Sequence, residues 1–219
     1  ETLWYSRQLR LPDGCFNIAD LRLLLHFGAV DQICSVYING KFATYHKGGY
    51  LPFTTDITDF IADDLSISIL VSVHDLSDTS YHARGKQQLK RGGMFYTAQS
   101  GIWQTVWMEI VPNDYIRDVR TTPDFDKGQL QIRVRTTASG SITCKVYPPV
   151  LLDADGVTDQ LCQNAIATAS IHSGEKAVIP IPEDIQRAWS PREPWLYPYS
   201  LEYGNDRVLG YFALRKCDI

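Results

Sequence analysis

Between Asp64 and Val73 the apolar residues Leu65, Ile67, Ile69, Val71 and Val73 fall on one side of an extended chain, and Ser66, Ser68 and Ser72 fall on the other. A repeat of two is the period of a strand with one buried face and one wet face, because successive Cβ atoms point to opposite sides of a pleated sheet. The same period returns along the chain. Leu21, Leu23, Leu25 and Phe27 oppose Arg22, Leu24 and His26, and Leu130, Ile132 and Val134 oppose Gln129, Gln131, Arg133 and Arg135. Ile142, Cys144 and Val146 repeat the theme, and Ala165–Ile171 and Lys176–Ile181 follow. Short alternating runs at this spacing, with turn residues between them, predict an all-β chain built as sandwiches. Gln160–Ala169 has the composition of a short helix, but Ile166, Thr168 and Ile171 pull it toward strand.

Turn chemistry divides the runs. Pro12-Asp13-Gly14 ends the opening strand WYSRQLRLP, and Asn39-Gly40 between SVYI and KFATYH predicts a two-residue hairpin, since that loop needs two positive φ values. Gly48-Gly49 and Pro52 then break the β pattern, and Thr55 and Asp56 offer a cap for a short helical turn. His74–Gly93 is a long polar loop of the kind that is usually functional or mobile. Val111–Tyr115, VPNDY, ends one β module and opens another, which places domains at 1–112 and 113–219. Trp189–Tyr197 carries Pro191 and Pro194 and is read as irregular, with Val208–Arg215 as the last strand.

Composition narrows the function. A net charge of −4, with Lys and Arg scattered singly, gives no surface for nucleic acid or an anionic membrane. No apolar run approaches the ~18–20 residues that span a bilayer. Cysteines at 15, 34, 144, 162 and 217 show no CxxC or Cys/His spacing and are read as free thiols, which favours a reducing cytoplasm. Histidines at 26, 46, 74, 82 and 172 show no metal-ligand pattern either, and no cofactor motif is found.

The stretch Gly92–Val111, GGMFYTAQSGIWQTVWMEIV, reads as a glycine turn, a loop and a strand. Alternation from Gly101 sets Ile102, Gln104, Val106, Met108 and Ile110 against Trp103, Thr105, Trp107, Glu109 and Val111. Two tryptophans on a polar face need a cover, which a neighbouring domain explains more simply than a sugar ring does.

VYINGKFATYHKGGYLPFTTDIT (Val36–Thr58), ARGKQ (Ala83–Gln87) and SGIWQTVWMEIVP (Ser100–Pro112) resemble the N-terminal domain of glycoside hydrolase family 2. WSPREPWLY (Trp189–Tyr197) and DRVLGYFALRK (Asp206–Lys216) are similar to the end of the next domain. The resemblance implies a jelly-roll, sugar-binding-type β-sandwich followed by an immunoglobulin-like sandwich. It also implies a catalytic TIM barrel beyond them on the same polypeptide, and a carbohydrate substrate; a homo-oligomer is left open. Tyr81, Arg84, Tyr96, Gln99, Trp103 and Trp107 then become candidates for facing the barrel or its substrate pocket. In the better-known galactosidases and glucuronidases an aspartate shortly before the Gly-Ile pair touches the sugar, and here Phe95 stands there, so neither substrate carries over. The family's acid/base glutamate follows an asparagine; the asparagines here are followed by Ile, Gly, Asp, Ala and Asp, so no catalytic residue is assigned. The expectation is a non-catalytic N-terminal part of such a glycosidase, and the alternative is a free-standing carbohydrate-binding or adhesion module.

Overall fold

The structure, a computed structural model, describes residues 2–17, 19–151 and 156–216. Strands carry the regular structure, and the chain divides into two compact units, Glu1–Val111 and Pro112–Ile219.

In the first unit the strands are β1 (Thr2–Arg10), β2 (Leu21–Phe27), β3 (Val30–Asp31), β4 (Ile33–Ile38), β5 (Lys41–Lys47), β6 (Phe53–Asp56) and β7 (Ser66–His74). They are followed by β8 (Gln87–Gln88), β9 (Tyr96–Thr97), β10 (Gly101–Ile102) and β11 (Val106–Pro112). A four-stranded sheet runs β1-β7-β4-β5 and a three-stranded sheet runs β11-β2-β6. The alternating residues meet in one core, with Leu23, Leu25 and Phe27 from β2 packed with Ile67, Ile69, Val71 and Val73 from β7. Asn39 and Gly40 take φ of 49° and 77° and close the β4–β5 hairpin as their sequence demands. The Asn39 amide also donates to the Phe60 and Ser66 carbonyls and accepts from Ser68 N–H, which pins the turn to β7. A short 3-10 turn follows at Thr58–Phe60 with Ile57 at its N-cap, and Asp56 just before it accepts from Thr58 N–H at 2.9 Å.

One expectation fails in an instructive way. Ile102–Val111 is not a single strand: β10 pairs with β3, β11 belongs with β2, and residues 103–105 between them leave the ladder. The opposite strand breaks at the same level, at Gly28 and Ala29, where Gly28 N–H donates to the Thr105 carbonyl at 2.8 Å. A Cβ on Gly28 would stand 2.7 Å from Gln104 Cβ, so only glycine lets the two backbones approach this closely. The simple alternation therefore lapses, and Trp103 and Trp107 do not share a strand face.

The second unit contains β12 (Ile116–Asp124), β13 (Gln129–Thr136), β14 (Ser141–Val146), β15 (Ala167–His172), β16 (Lys176–Pro180), β17 (Tyr197–Tyr203) and β18 (Asp206–Phe212). Its sheets run β12-β13-β16 and β15-β14-β17-β18, a Greek-key sandwich of immunoglobulin type whose fourth strand pairs with the third. Leu130, Ile132 and Val134 face Ile142, Cys144 and Val146 across its core. Residues 160–166 form no helix, and the strand expected there begins only at Ala167.

Burial pushes the Cys34 thiol up to about 11 and the Cys144 thiol up to about 12, so both behave as small apolar side chains. Cys15 and Cys162 are free as well, while Cys217 lies outside the described residues. Among the described residues no helix is long and apolar enough to cross a membrane.

Candidate functional site

The segment from Asp75 to Ser100 leaves the sheet at the end of β7 and returns at β10. Its two ends are tied together by one buried carboxylate. Asp75 is 8% exposed; its Oδ1 accepts from Ser77 N–H at 2.8 Å, and its Oδ2 accepts from the hydroxyls of Ser77 at 3.3 Å and Ser100 at 2.5 Å. His82 Nε2 stands 3.8 Å from Asp75 Oδ1. Within the loop β8 and β9 pair in parallel, Tyr96 N–H donates to the Lys86 carbonyl, and Gln99 N–H donates to Gln87 Oε1 at 2.6 Å. Arg84 is held locally, donating to the Ser80 carbonyl at 2.7 Å, while Tyr81 and Tyr96 project into solvent. Phe95 is also exposed, beside its bridge partner Gly92.

Of the six expected site residues, two meet. Gln99 and Trp103 line a cavity of about 550 Å³ together with Asp31, Tyr50, Gln87 and Ser100. Trp103 Nε1 donates to the Gly49 carbonyl at 2.7 Å and its ring meets Tyr50 edge to face at 6.0 Å, yet half of its surface stays in water. Trp107 lies elsewhere. Its indole stacks on His26 at 4.8 Å, His26 in turn stands 3.2 Å from Glu109 and 2.8 Å from Thr54 Oγ1, and Trp107 edges a separate apolar cavity with Tyr5 and Val106. Tyr81, Arg84 and Tyr96 are not among the described residues that line the Trp103 cavity.

The group that sequence reasoning missed is Asp31. It is 9% exposed, its Oδ1 has no hydrogen-bond donor among the described residues, and its carboxyl packs so tightly on Gly49 that a Cβ there would lie 2.6 Å from Oδ1. Desolvation pushes its pKa above the usual carboxylate value, the charge of Asp75 pushes the same way, and His82 opposes both. An acid inside the apolar run GAVDQIC was the one signal available. The unfolded carboxyl loses its proton near 3.8 while the folded one keeps it to higher pH, so stability falls as pH rises above 3.8 and stays reduced beyond the folded value. Asp31→Asn is therefore expected to raise stability by about 1 kcal/mol at pH 7, with the gain shrinking as pH approaches 4. Thermal melts of both proteins across that range check it, and a gain independent of pH would contradict the assignment.

Among the described residues no group of three or more His, Cys, Asp and Glu side chains is placed to hold a metal ion. What the first unit offers is a β-sandwich carrying an anchored loop, exposed aromatics and a polar cavity beside Trp103. Residues 1–112 match the family model described as glycosyl hydrolases family 2, sugar binding domain. The chain belongs to glycoside hydrolase family 2. It is similar to the beta-galactosidase of Thermoanaerobacter pseudethanolicus, 26% identical over 204 residues that make up 91% of this chain and 25% of that protein. Among solved structures it is similar to a beta-glucuronidase of Faecalibacterium prausnitzii, with a TM-score of 0.69 and 27% identity over 97% of this chain and 37% of that one. A beta-glucuronidase from an uncultured Clostridium matches with a TM-score of 0.69 and 25% identity, over 97% and 35% of the two chains. The sequence thus spans a quarter to about a third of the length of these relatives, as their N-terminal region.

Proposed function

We propose that this chain serves a family 2 glycosidase that hydrolyses O-glycosidic bonds of carbohydrates, its two units bracing a catalytic barrel on the same polypeptide. In this reading 1–112 and 113–219 are separate non-catalytic domains, and the loop carrying Tyr81, Arg84, Tyr96 and Gln99 borders the substrate pocket together with Trp103. The observation that carries it is the anchored loop. Asp75 closes a long excursion at its base, and the loop holds Tyr81 and Tyr96 out in water at an apolar cost of about 25 cal/mol per Å² that a covering surface would recover. Trp107, seated on His26, belongs to the sandwich wall in this reading and is the weakest of the six candidates. Phe95 leaves the sugar open, because the galactosidase and glucuronidase contact is an aspartate.

The test is kinetic. The product of the complete reading frame is assayed on a panel of nitrophenyl glycosides as wild type, Trp103→Ala and Tyr96→Ala. Each substitution is expected to lower kcat/KM about tenfold, equivalent to about 1.4 kcal/mol of transition-state binding. The 219-residue chain alone is expected to give no turnover. Kinetics unchanged in both variants would remove the loop from the pocket.

A further inference from the structure

We infer that the outer face of the sheet β12-β13-β16 carries a binding site for one tetrahedral oxyanion of the phosphate class, built by Arg120, Arg133 and Lys176 with Thr122 and Gln131. The inference goes beyond the placement proposed above and stands without it, because every residue of the site belongs to the second unit.

The ladder register creates the site. Arg120 on β12 lies directly opposite Arg133 on β13, and Arg133 lies directly opposite Lys176 on β16, so three cations stand in one row across the sheet. Directly opposed side chains leave the backbone about 4.5–5.5 Å apart, and like charges so placed destabilise a sheet. In a chain of net charge −4, whose cations are scattered singly along the sequence, strand pairing alone gathers this row. One carboxylate touches it. Asp118 accepts from Arg135 at 2.9 and 3.2 Å and stands 3.4 Å from Arg120, while Arg133 and Lys176 have no carboxylate at ion-pair distance among the described residues. The next row sets Thr122 opposite Gln131, which adds a hydroxyl and an amide donor. These five side chains and Ile132 border a single hollow of about 210 Å³.

Size and boundary select the ligand. The hollow lies below the ~300 Å³ at which drug-sized sites begin, which suits one small ion. On the same face of β12, Asp118 stands two residues before Arg120 and Asp124 two residues after Thr122, so acidic groups close the patch at both ends and a long polyanion has no track to follow. A phosphate group brings a charge of about −1.5 to −2 and three acceptor oxygens, which answers three cations and two neutral donors. The guanidinium forks match paired phosphate oxygens, and the lysine adds a point charge. A carboxylate, with one charge and two oxygens, leaves most of the row unanswered.

The 219-residue chain is titrated at fixed ionic strength with inorganic phosphate, inorganic sulfate, phenyl phosphate and acetate, reading heat and the thermal midpoint of unfolding. Phosphate and sulfate are expected to saturate in the millimolar range and to raise the thermal midpoint, as a ligand of the folded state does, while acetate does neither. Phenyl phosphate binding as tightly as free phosphate assigns the site to a phosphoryl group on a larger molecule, and its failure to bind assigns the site to the free ion. Arg133→Gln is expected to weaken phosphate binding tenfold or more, while the ligand-free protein keeps or gains thermal stability because the row's repulsion is relieved. Lys145→Gln, the same change of charge on β14 of the other sheet, is expected to leave binding within twofold. No saturation by phosphate or sulfate, an equal response to acetate, or equal weakening in Lys145→Gln would each overturn the assignment. An oligonucleotide bound in the micromolar range and lost in Arg133→Gln would overturn it too, by marking a polyanion surface instead.

Discussion

Replacing Tyr197 by alanine is expected to cost about 3–5 kcal/mol and to leave the second unit unfolded or nearly so at 37 °C. Tyr197 is fully buried at the start of β17, stacked on Phe212 at 5.1 Å. Its hydroxyl accepts from Arg187 N–H at 2.5 Å and donates to the Ile185 carbonyl at 3.2 Å, so it ties the irregular approach 185–188 to the sheet. Burial pushes its pKa up, which keeps the phenol neutral and able to donate. The device resembles the tyrosine corner of Greek-key sandwiches, where one side chain contributes both core volume and the hydrogen bonds of a neighbouring corner. Tyr197→Phe separates the two contributions. It keeps the stack but removes the hydrogen bond to the Arg187 N–H, for an expected loss of about 1 kcal/mol. Urea unfolding of the three proteins, followed by circular dichroism, tests the ordering; a Phe variant indistinguishable from wild type would show that water replaces the hydroxyl.

The elements that sequence reveals best are those whose faces differ. β2, β7, β13 and β14 each bury one set of alternate residues, and their period of two is visible without a structure. β17 is different: Tyr197, Pro198, Tyr199, Ser200 and Leu201 are all buried, so a strand covered on both sides shows no alternation, and Pro198 argues against it. The structure accommodates that proline because its carbonyl alone is used, accepting from Tyr147 N–H, while the buried Ser200 hydroxyl meets Tyr147 Oη at 2.9 Å. β12, IRDVRTTPD, escapes notice for the opposite reason: its alternate positions carry arginines, threonines and aspartates, so little apolar contrast remains. The site was legible only in its aromatic half. Trp103 stands out as an aromatic on the polar face of an expected strand and Gln99 as a loop residue, but the cavity they share depends on Asp31 and Gly49, which are distant in sequence and brought there by β3 and the Gly48-Gly49 break. No local pattern encodes that meeting, and the break at Gly28 that parts Trp103 from Trp107 is equally non-local.

Asp75→Ala is expected to free the loop from its base while the sandwich survives. The carboxylate accepts three hydrogen bonds from the two ends of the loop, and bonds to a charged group contribute about 1.5–3 kcal/mol each where no water replaces them. Part of that loss is recovered by water, since the loop is a surface element, and a local loss of about 3 kcal/mol is expected. The closed loop is a small share of the unit's core: the packed residues Leu23, Phe27, Val36 and Val71 make no use of Asp75. Opening is then local, and its population rises about a hundredfold at 1.4 kcal/mol per factor of ten. Trypsin reads it directly, because Arg84, Lys86, Lys90 and Arg91 all lie within the loop. Cleavage there is expected to accelerate about a hundredfold in Asp75→Ala, with the thermal midpoint of the sandwich little changed. Asp75→Asn, which retains one carbonyl acceptor and the shape of the side chain, is expected to fall between the two. Removing the charge also takes away one of the influences that raise the Asp31 pKa, so the stability loss that begins near 3.8 ends at a lower pH in both variants than in the wild type. Cleavage at the wild-type rate would mean that the β8–β9 pairing, and not the carboxylate, holds the loop; cleavage throughout the chain would mean that Asp75 supports the whole unit.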